Sequence, residues 1–455
     1  MKKIIFLLAC SVCCDIVAAQ APYTLQQLKD SALHNNIALR TARSGIEAAS
    51  EQRKEAFTKY FPNVSGTGLW FNANKGMAQT SLNPSEMIPA SLAPTLAASL
   101  PAEALAALSS PIGISMMKNG TIGSLMAVQP VFAGGQIVNG NRLAKVGEEV
   151  SRLQLQLSEQ EVERQTEQYY WQLVSLQEKV KTVDAVDTLL ADIAKDVTVA
   201  VRAGVALRND LLQVQLRQND VASQRLKLKN GISIVSMLLA QYCGLSKSAD
   251  FCVKSEGVAI DESAGSETVA NPSPFSPHAS LSNLPEYQLL QKQVEAASLQ
   301  RKMEVGKNLP SVAVGAGYNY HNLLDNNHHF GMVFATVSVP ISDWWGGSHA
   351  IKRKKIAQRQ AEEQLADNAE LLQIRIQNAW NSVVEARQQL QLAQRSIEQS
   401  AENLRLHRDY YRAGTCKMSD LLEAQLLYQQ TLDKQTDAYA DLQNKNLEYR
   451  QSVGQ

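Results

Sequence analysis

Hydrophobic positions along this chain follow two different periods. Between Val312 and His321, Val312, Val314, Ala316, Tyr318 and Tyr320 fall on one face, and Ala313, Gly315, Gly317, Asn319 and His321 on the other. In FGMVFATVSV, Phe330, Met332 and Phe334 alternate with Gly331, Val333 and Ala335. A period of two predicts strands, and about ten residues is the length of a tilted strand crossing a membrane. NVSGTGLWFN from Asn63 and TIGSLMAVQP from Thr121 read as two more strands with looser alternation. Nearer the C-terminus, Leu421, Tyr428, Gln435, Leu442 and Tyr449 recur every seven residues, joined by Leu432 and Tyr439. A strict seven-residue stripe predicts helices packed along a left-handed coiled seam.

Helix breakers outline the same layout. Proline is absent between Pro130 and Pro272 and again after Pro340, so both zones are free to be helical. Gln136 to Arg202, as one helix, runs for about 100 Å. From Ser348 to Val453 the only glycine is Gly414, which predicts the end of one long helix and a turn back.

The layout occurs twice. EAASEQRK from Glu47 returns as EAASLQRK from Glu295, an offset of 248 that Pro62 and Pro310 also keep. Pro130 and Pro340, and the turns RAGVALRNDLLQVQL from Arg202 and RAGTCKMSDLLEAQL from Arg412, share an offset of 210. The chain therefore reads as a duplication of helix, Pro, strand, loop, strand, Pro, Gly-Gly, long helix, RAG turn and helix. The first copy carries 38 extra residues between its prolines. The expected organisation is a signal peptide over 1–19 and a first repeat over 20–244, with a long external loop at about 73–120 and a tip turn near 204. A linker over 245–282 and a second repeat over 283–455, with a tip turn near 414, complete it. The long loop, largely uncharged and rich in Ala, Pro and Met, reads either as a cover over a pore or as a disordered insert.

Lys2 and Lys3, the apolar run from Ile4 and the small residues Val17-Ala18-Ala19 make up the expected secretory signal. A lipid attachment at Cys10, in Leu7-Leu8-Ala9-Cys10, is the alternative reading. Beyond the signal no run of 18 apolar residues predicts a membrane helix. Lys and Arg number 44, as do Asp and Glu, so composition offers no basic surface for nucleic acid. Three cysteines past the signal, Cys243, Cys252 and Cys416, are no disulfide framework, although Cys243 and Cys252 are a candidate pair in an oxidising compartment. Four strands do not close a barrel, whose practical minimum is about eight, so a membrane barrel of this chain is shared between subunits. A small soluble sheet is the competing reading.

In this order and at constant offset, the duplication, the two strand–loop–strand units, the long helices and the paired RAG turns resemble the TolC-type outer-membrane efflux family. The resemblance covers essentially the whole chain past the signal. It implies a mainly α fold with a β-barrel portion: a homotrimer with a twelve-stranded barrel, four strands per chain, continued by a long α-helical coiled-coil barrel. It implies an outer-membrane exit duct of a tripartite efflux or type I secretion system, extending into the periplasm. Its partners are a periplasmic adaptor and an inner-membrane pump, which supplies the energy.

The resemblance also assigns residues. Asp420 and Glu423 match an acidic ring at the inner mouth, which in three copies favours cations. Asp210 and Tyr411 match gate-bond positions. Cys416 stands where the family pattern has Arg, which removes the charged partner expected for Asp210. Ala203, Gly204, Val205, Ala413, Gly414 and Thr415 match the adaptor-docking tips. A bland reading stands beside these: Asp210-x-x-Gln213 and Asp420-x-x-Glu423 also spell a helix capping box. His321, Asp325, His328 and His329 crowd one loop, read as solvated, with no metal site expected. No nucleophile–base set, phosphate loop or paired-carboxylate motif stands out, so no enzyme and no cofactor are expected. A periplasmic coiled-coil adaptor or structural protein is the alternative function; the duplicated helix pair and the alternating aromatic strands argue against it.

Overall fold

A computed structural model describes residues 23–75, 78–89, 101, 103–104, 106, 110–245, 281–323 and 327–454. The signal peptide, Cys252, Asp325 and nearly all of the linker lie outside the described residues. Two helices open the chain, α1 (Leu25–Asn35) and α2 (Ile37–Thr58), followed by β1 (Asn63–Asn72). A short hairpin, β2 (Ala78–Leu82) with β3 (Ile112–Met116), lies within the long first loop and was not legible as strands. Then come β4 (Asn119–Ala133), α3 (Gln136–Arg202) and α4 (Arg208–Tyr242). The second copy is α5 (Pro285–Lys307), β5 (Ser311–Asn322), β6 (His328–Ser338), α6 (Asp343–Arg412) and α7 (Met418–Ser452). The long helices match in length: 67 and 35 residues in the first copy, 70 and 35 in the second. No described helix is long and apolar enough to cross a membrane.

The chain divides into two units, each drawing on both copies. One contains the sheet, antiparallel throughout in the order β1-β4-β5-β6, with β1 and β6 as open edges. Register partners run straight across it, as in Val64, Ala127, Ala316 and Val333. A bulge between Pro130 and Phe132 accommodates proline, which has no N–H to donate to the ladder. At the end of β4 the backbone turns through Gly134 and Gly135, both left-handed at φ 58 and 76. A Cβ on Gly134 would collide with the Gly306 carbonyl, and one on Gly306 with the Gly134 carbonyl, so two backbones touch where α5 ends and α3 begins. The second Gly-Gly pair is used differently. Gly346 and Gly347 lie inside the first turns of α6, where a Cβ on Gly347 would strike the Asn308 side chain. Trp344 Nε1 donates to Asn308 O at 3.0 Å at the same junction.

The other unit is helical. Thr24 caps α1 in a reciprocal box with Gln27, so its first N–H groups are satisfied. Leu28 and Ala32 then bury against Leu39, Tyr170, Leu173 and Leu239. Lys29, 9% exposed, is held by Glu163 at 3.0 Å and Glu167 at 2.6 Å, so its buried charge is paired. The seven-residue stripe of α7 faces inward: Leu421, Gln435, Leu442 and Tyr449 are all buried, at 1, 9, 1 and 6% exposure. Between α4 and α7 a polar set interrupts the apolar packing. Arg217 donates to Gln425 at 3.0 Å and Gln429 at 2.9 Å, and Gln429 donates to Gln224 at 2.9 Å.

Candidate functional site

The two RAG turns close in the same way. Gly204 N–H donates to Val201 O at 3.1 Å and Val205 N–H to Ala200 O at 3.0 Å. Gly414 N–H donates to Tyr411 O at 3.0 Å and Thr415 N–H to Tyr410 O at 2.9 Å. This paired pattern caps a helix C-terminus and requires a left-handed residue, supplied by Gly204 at φ 76 and Gly414 at φ 74. Nothing lies within 4 Å of a Cβ built on either glycine. Ala203, Gly204, Val205, Ala413, Gly414 and Thr415 are all exposed. Val205 and Leu207 present 79% and 71% of their surface, an apolar tip with no partner among the described residues.

Behind the tips, Ile193, Val197 and Val214 pack against Met418 and Leu421, which joins the hairpin of the first copy to that of the second. Beside this cluster lies a cleft of about 750 Å³, lined among others by Asp196, Asp210, Tyr411, Arg412 and Cys416. The gate candidates Asp210 and Tyr411 therefore share one cavity, but no hydrogen bond joins them here. Burial first, then the charge of Asp210, pushes the Tyr411 phenol up from its ordinary value, so it stays protonated as a donor. One tie across the hairpins near the tips is one that sequence reasoning missed: Arg412 to Asp196 at 3.6 Å, with both side chains more than half exposed. A pair this open contributes about 0–1 kcal/mol. Arg412 was visible within the RAG repeat, but nothing in the sequence pointed to Asp196.

The capping reading shifts register. The helices begin at Arg208 and Met418, so Asp210 and Asp420 occupy the third helical position and are not the caps themselves. Asp420 accepts from the Lys417 N–H at 3.3 Å and from Ser419 Oγ at 3.0 Å. Glu423 is exposed on the same helical face as Asp420 and makes no hydrogen bond or ion pair among the described residues. Cys416 Sγ donates to His407 O at 3.4 Å, so the thiol takes a local backbone partner in place of the ion pair an Arg would make.

Cys243 is a free thiol, 0% exposed, at the end of α4. Burial pushes it up to about 12, so almost no thiolate forms at neutral pH. A maleimide added to folded protein is expected to label Cys416 and spare Cys243, as peptide mapping would read; equal labelling would contradict the burial. Unfolding without reductant then tests the bridge expected from sequence: a Cys243 that stays unreactive is bonded to Cys252, and one that labels is free.

The loop histidines do not act as one cluster. His321 and His328 are register partners with ring centroids 5.3 Å apart. His329 opposes Tyr320 and so lies on the other face of the sheet. Among the described residues no group of three or more His, Cys, Asp and Glu is placed to hold a metal ion.

Residues 277–455 match the family of outer membrane efflux proteins. A sequence search of curated proteins finds no match. Among solved structures, the outer-membrane channel OprN superposes with a TM-score of 0.75 at 16% identity, over 94% of this chain and 89% of that one. CusC superposes with a TM-score of 0.76 at 14% identity, over 94% and 92%. The outer membrane protein VceC of Vibrio cholerae gives 0.72 at 13% identity, over 94% and 96%. At these identities the likeness is one of fold.

Proposed function

We propose that this chain, which matches the outer membrane efflux proteins over its second copy, is the outer-membrane exit duct of a tripartite efflux or type I secretion assembly. The observation that carries the reading is the sheet. Register places Val64, Leu125, Tyr318, Val333 and Val337 on one face, and each is more than half exposed. The opposite face mixes Ser65, Thr67, Ser124, Asn319 and His321 with Leu69, Met126 and Phe330. An apolar face of this kind suits hydrocarbon, and a mixed face suits a wet lumen. Among the described residues both sheet edges are unpaired, and open edges are not tolerated in lipid, so other copies must supply the missing strands. Three copies give a twelve-stranded barrel in the outer membrane.

The paired helices carry the conduit into the periplasm, and the exposed tips around Gly204 and Gly414 dock the periplasmic adaptor of an inner-membrane pump. Asp420 and Glu423 form the acidic mouth, with Asp210 and Tyr411 as the latch beside it. The protein performs no chemistry of its own. Native mass measurement of protein extracted from outer membranes should give a trimer in detergent. A monomer stable without detergent would overturn the reading.

A further inference from the structure

His321 and His328 stand opposite each other at the loop end of β5 and β6, on the sheet face that carries Asn319 and Phe330. Their ring centroids are 5.3 Å apart and the planes 31° from parallel. Nδ1 of His321 is buried and has no hydrogen-bond partner. An imidazole nitrogen without a protein partner is available to accept a ligand.

We propose that His321 and His328 form a two-imidazole site for a borderline divalent d-block cation, with Zn²⁺ and Cu²⁺ as the fitting members. The geometry argues for it. A zinc–imidazole bond is about 2.0–2.1 Å long, which puts each ring centroid about 3.2 Å from the metal; at a tetrahedral angle two such centroids lie about 5.3 Å apart. That is the separation found. Rotation about Cβ–Cγ swings the ring nitrogens around an axis passing close to the centroid, and this torsion is soft in His. The nitrogens can therefore turn onto a common metal without moving either strand. Register fixes the spacing, because directly opposed residues hold their Cβ atoms about 4.5–5.5 Å apart. Water completes the coordination. Mg²⁺ and Ca²⁺ are excluded by preference, since both take oxygen ligands. His329 takes no part, because it sits on the other face beside Tyr318. The bound ion staples the β5–β6 hairpin at its tip.

The test uses full-length protein without an affinity tag, titrated with Zn²⁺ by calorimetry. One ion per chain is expected. Losing a residue that merely orients a metal ligand costs about 10–100-fold in affinity, so His321→Asn and His328→Asn should each lose more than about tenfold, while His329→Asn binds as wild type. The electron paramagnetic resonance spectrum of the Cu²⁺ form should show two coordinated nitrogens, a readout that needs no variant to fold. Zn²⁺ affinity unchanged in both His321→Asn and His328→Asn, or a Cu²⁺ spectrum with one nitrogen or none, overturns the proposal.

Discussion

Replacing Asp420 and Glu423 by Ala is expected to lower the preference for cations about fivefold or more in planar-bilayer recordings. The estimate follows from Coulomb's law: one carboxylate about 4 Å from a permeating cation contributes about 1 kcal/mol in water, a factor of about five in occupancy. Both residues lie on one helical face, Asp420 partly buried and Glu423 exposed, three positions apart, where side chains are neighbours. The two differ in their structural duties. Asp420 also holds the start of α7 through the Lys417 N–H, so its removal perturbs the helix as well as the charge. Glu423 has no such bond among the described residues, so Glu423→Ala isolates the electrostatic effect. The latch variant Asp210→Ala with Tyr411→Phe should act differently, raising conductance with little change in selectivity. With Cys416 in place of a cation, the ion pair that spans the hairpins beside the latch is the exposed Arg412–Asp196 contact, which adds little resistance to opening. Unchanged currents in both sets would make these carboxylates helix-start residues alone and place the gate elsewhere.

Gly134→Ala is expected to remove most of the folded protein from the outer-membrane fraction and to lower the thermal unfolding midpoint of what remains. Two costs combine. Gly134 holds φ 58, a left-handed conformation that costs other residues about 1–2 kcal/mol. The new Cβ would also run into the Gly306 carbonyl, and relieving such overpacking costs about 1–3 kcal/mol by backbone shifts. The sum, about 3 kcal/mol or more, is a large share of the stability of an ordinary domain. Gly204→Ala is the matched control. Its φ is 76, yet nothing lies within 4 Å of its Cβ, so it should pay only the conformational cost. Equal stability in the two variants would show that the Gly134–Gly306 approach is dispensable.

Much of the fold was written locally. Period two marked β5 and β6 and, more loosely, β1 and β4; β1 spans Asn63–Asn72 as read from the sequence. Proline-free stretches marked the long helices, and α3 spans Gln136–Arg202 as read from the sequence. Glycine placement fixed both RAG turns. These signals survive in sequence because each depends on neighbours a few residues apart: pleat, helical turn and backbone permissiveness. What the sequence left open depends on partners far along the chain. Only the tertiary structure put Asp196 against Arg412, set Arg217 on Gln425 and Gln429, and made Gly134 touch Gly306. Only the strand register separated His329 from the His321–His328 pair, because a shift of one residue moves a side chain to the other face. The helices start at Arg208 and Met418, which puts the capping register three residues earlier than Asp210 and Asp420 as caps would place it.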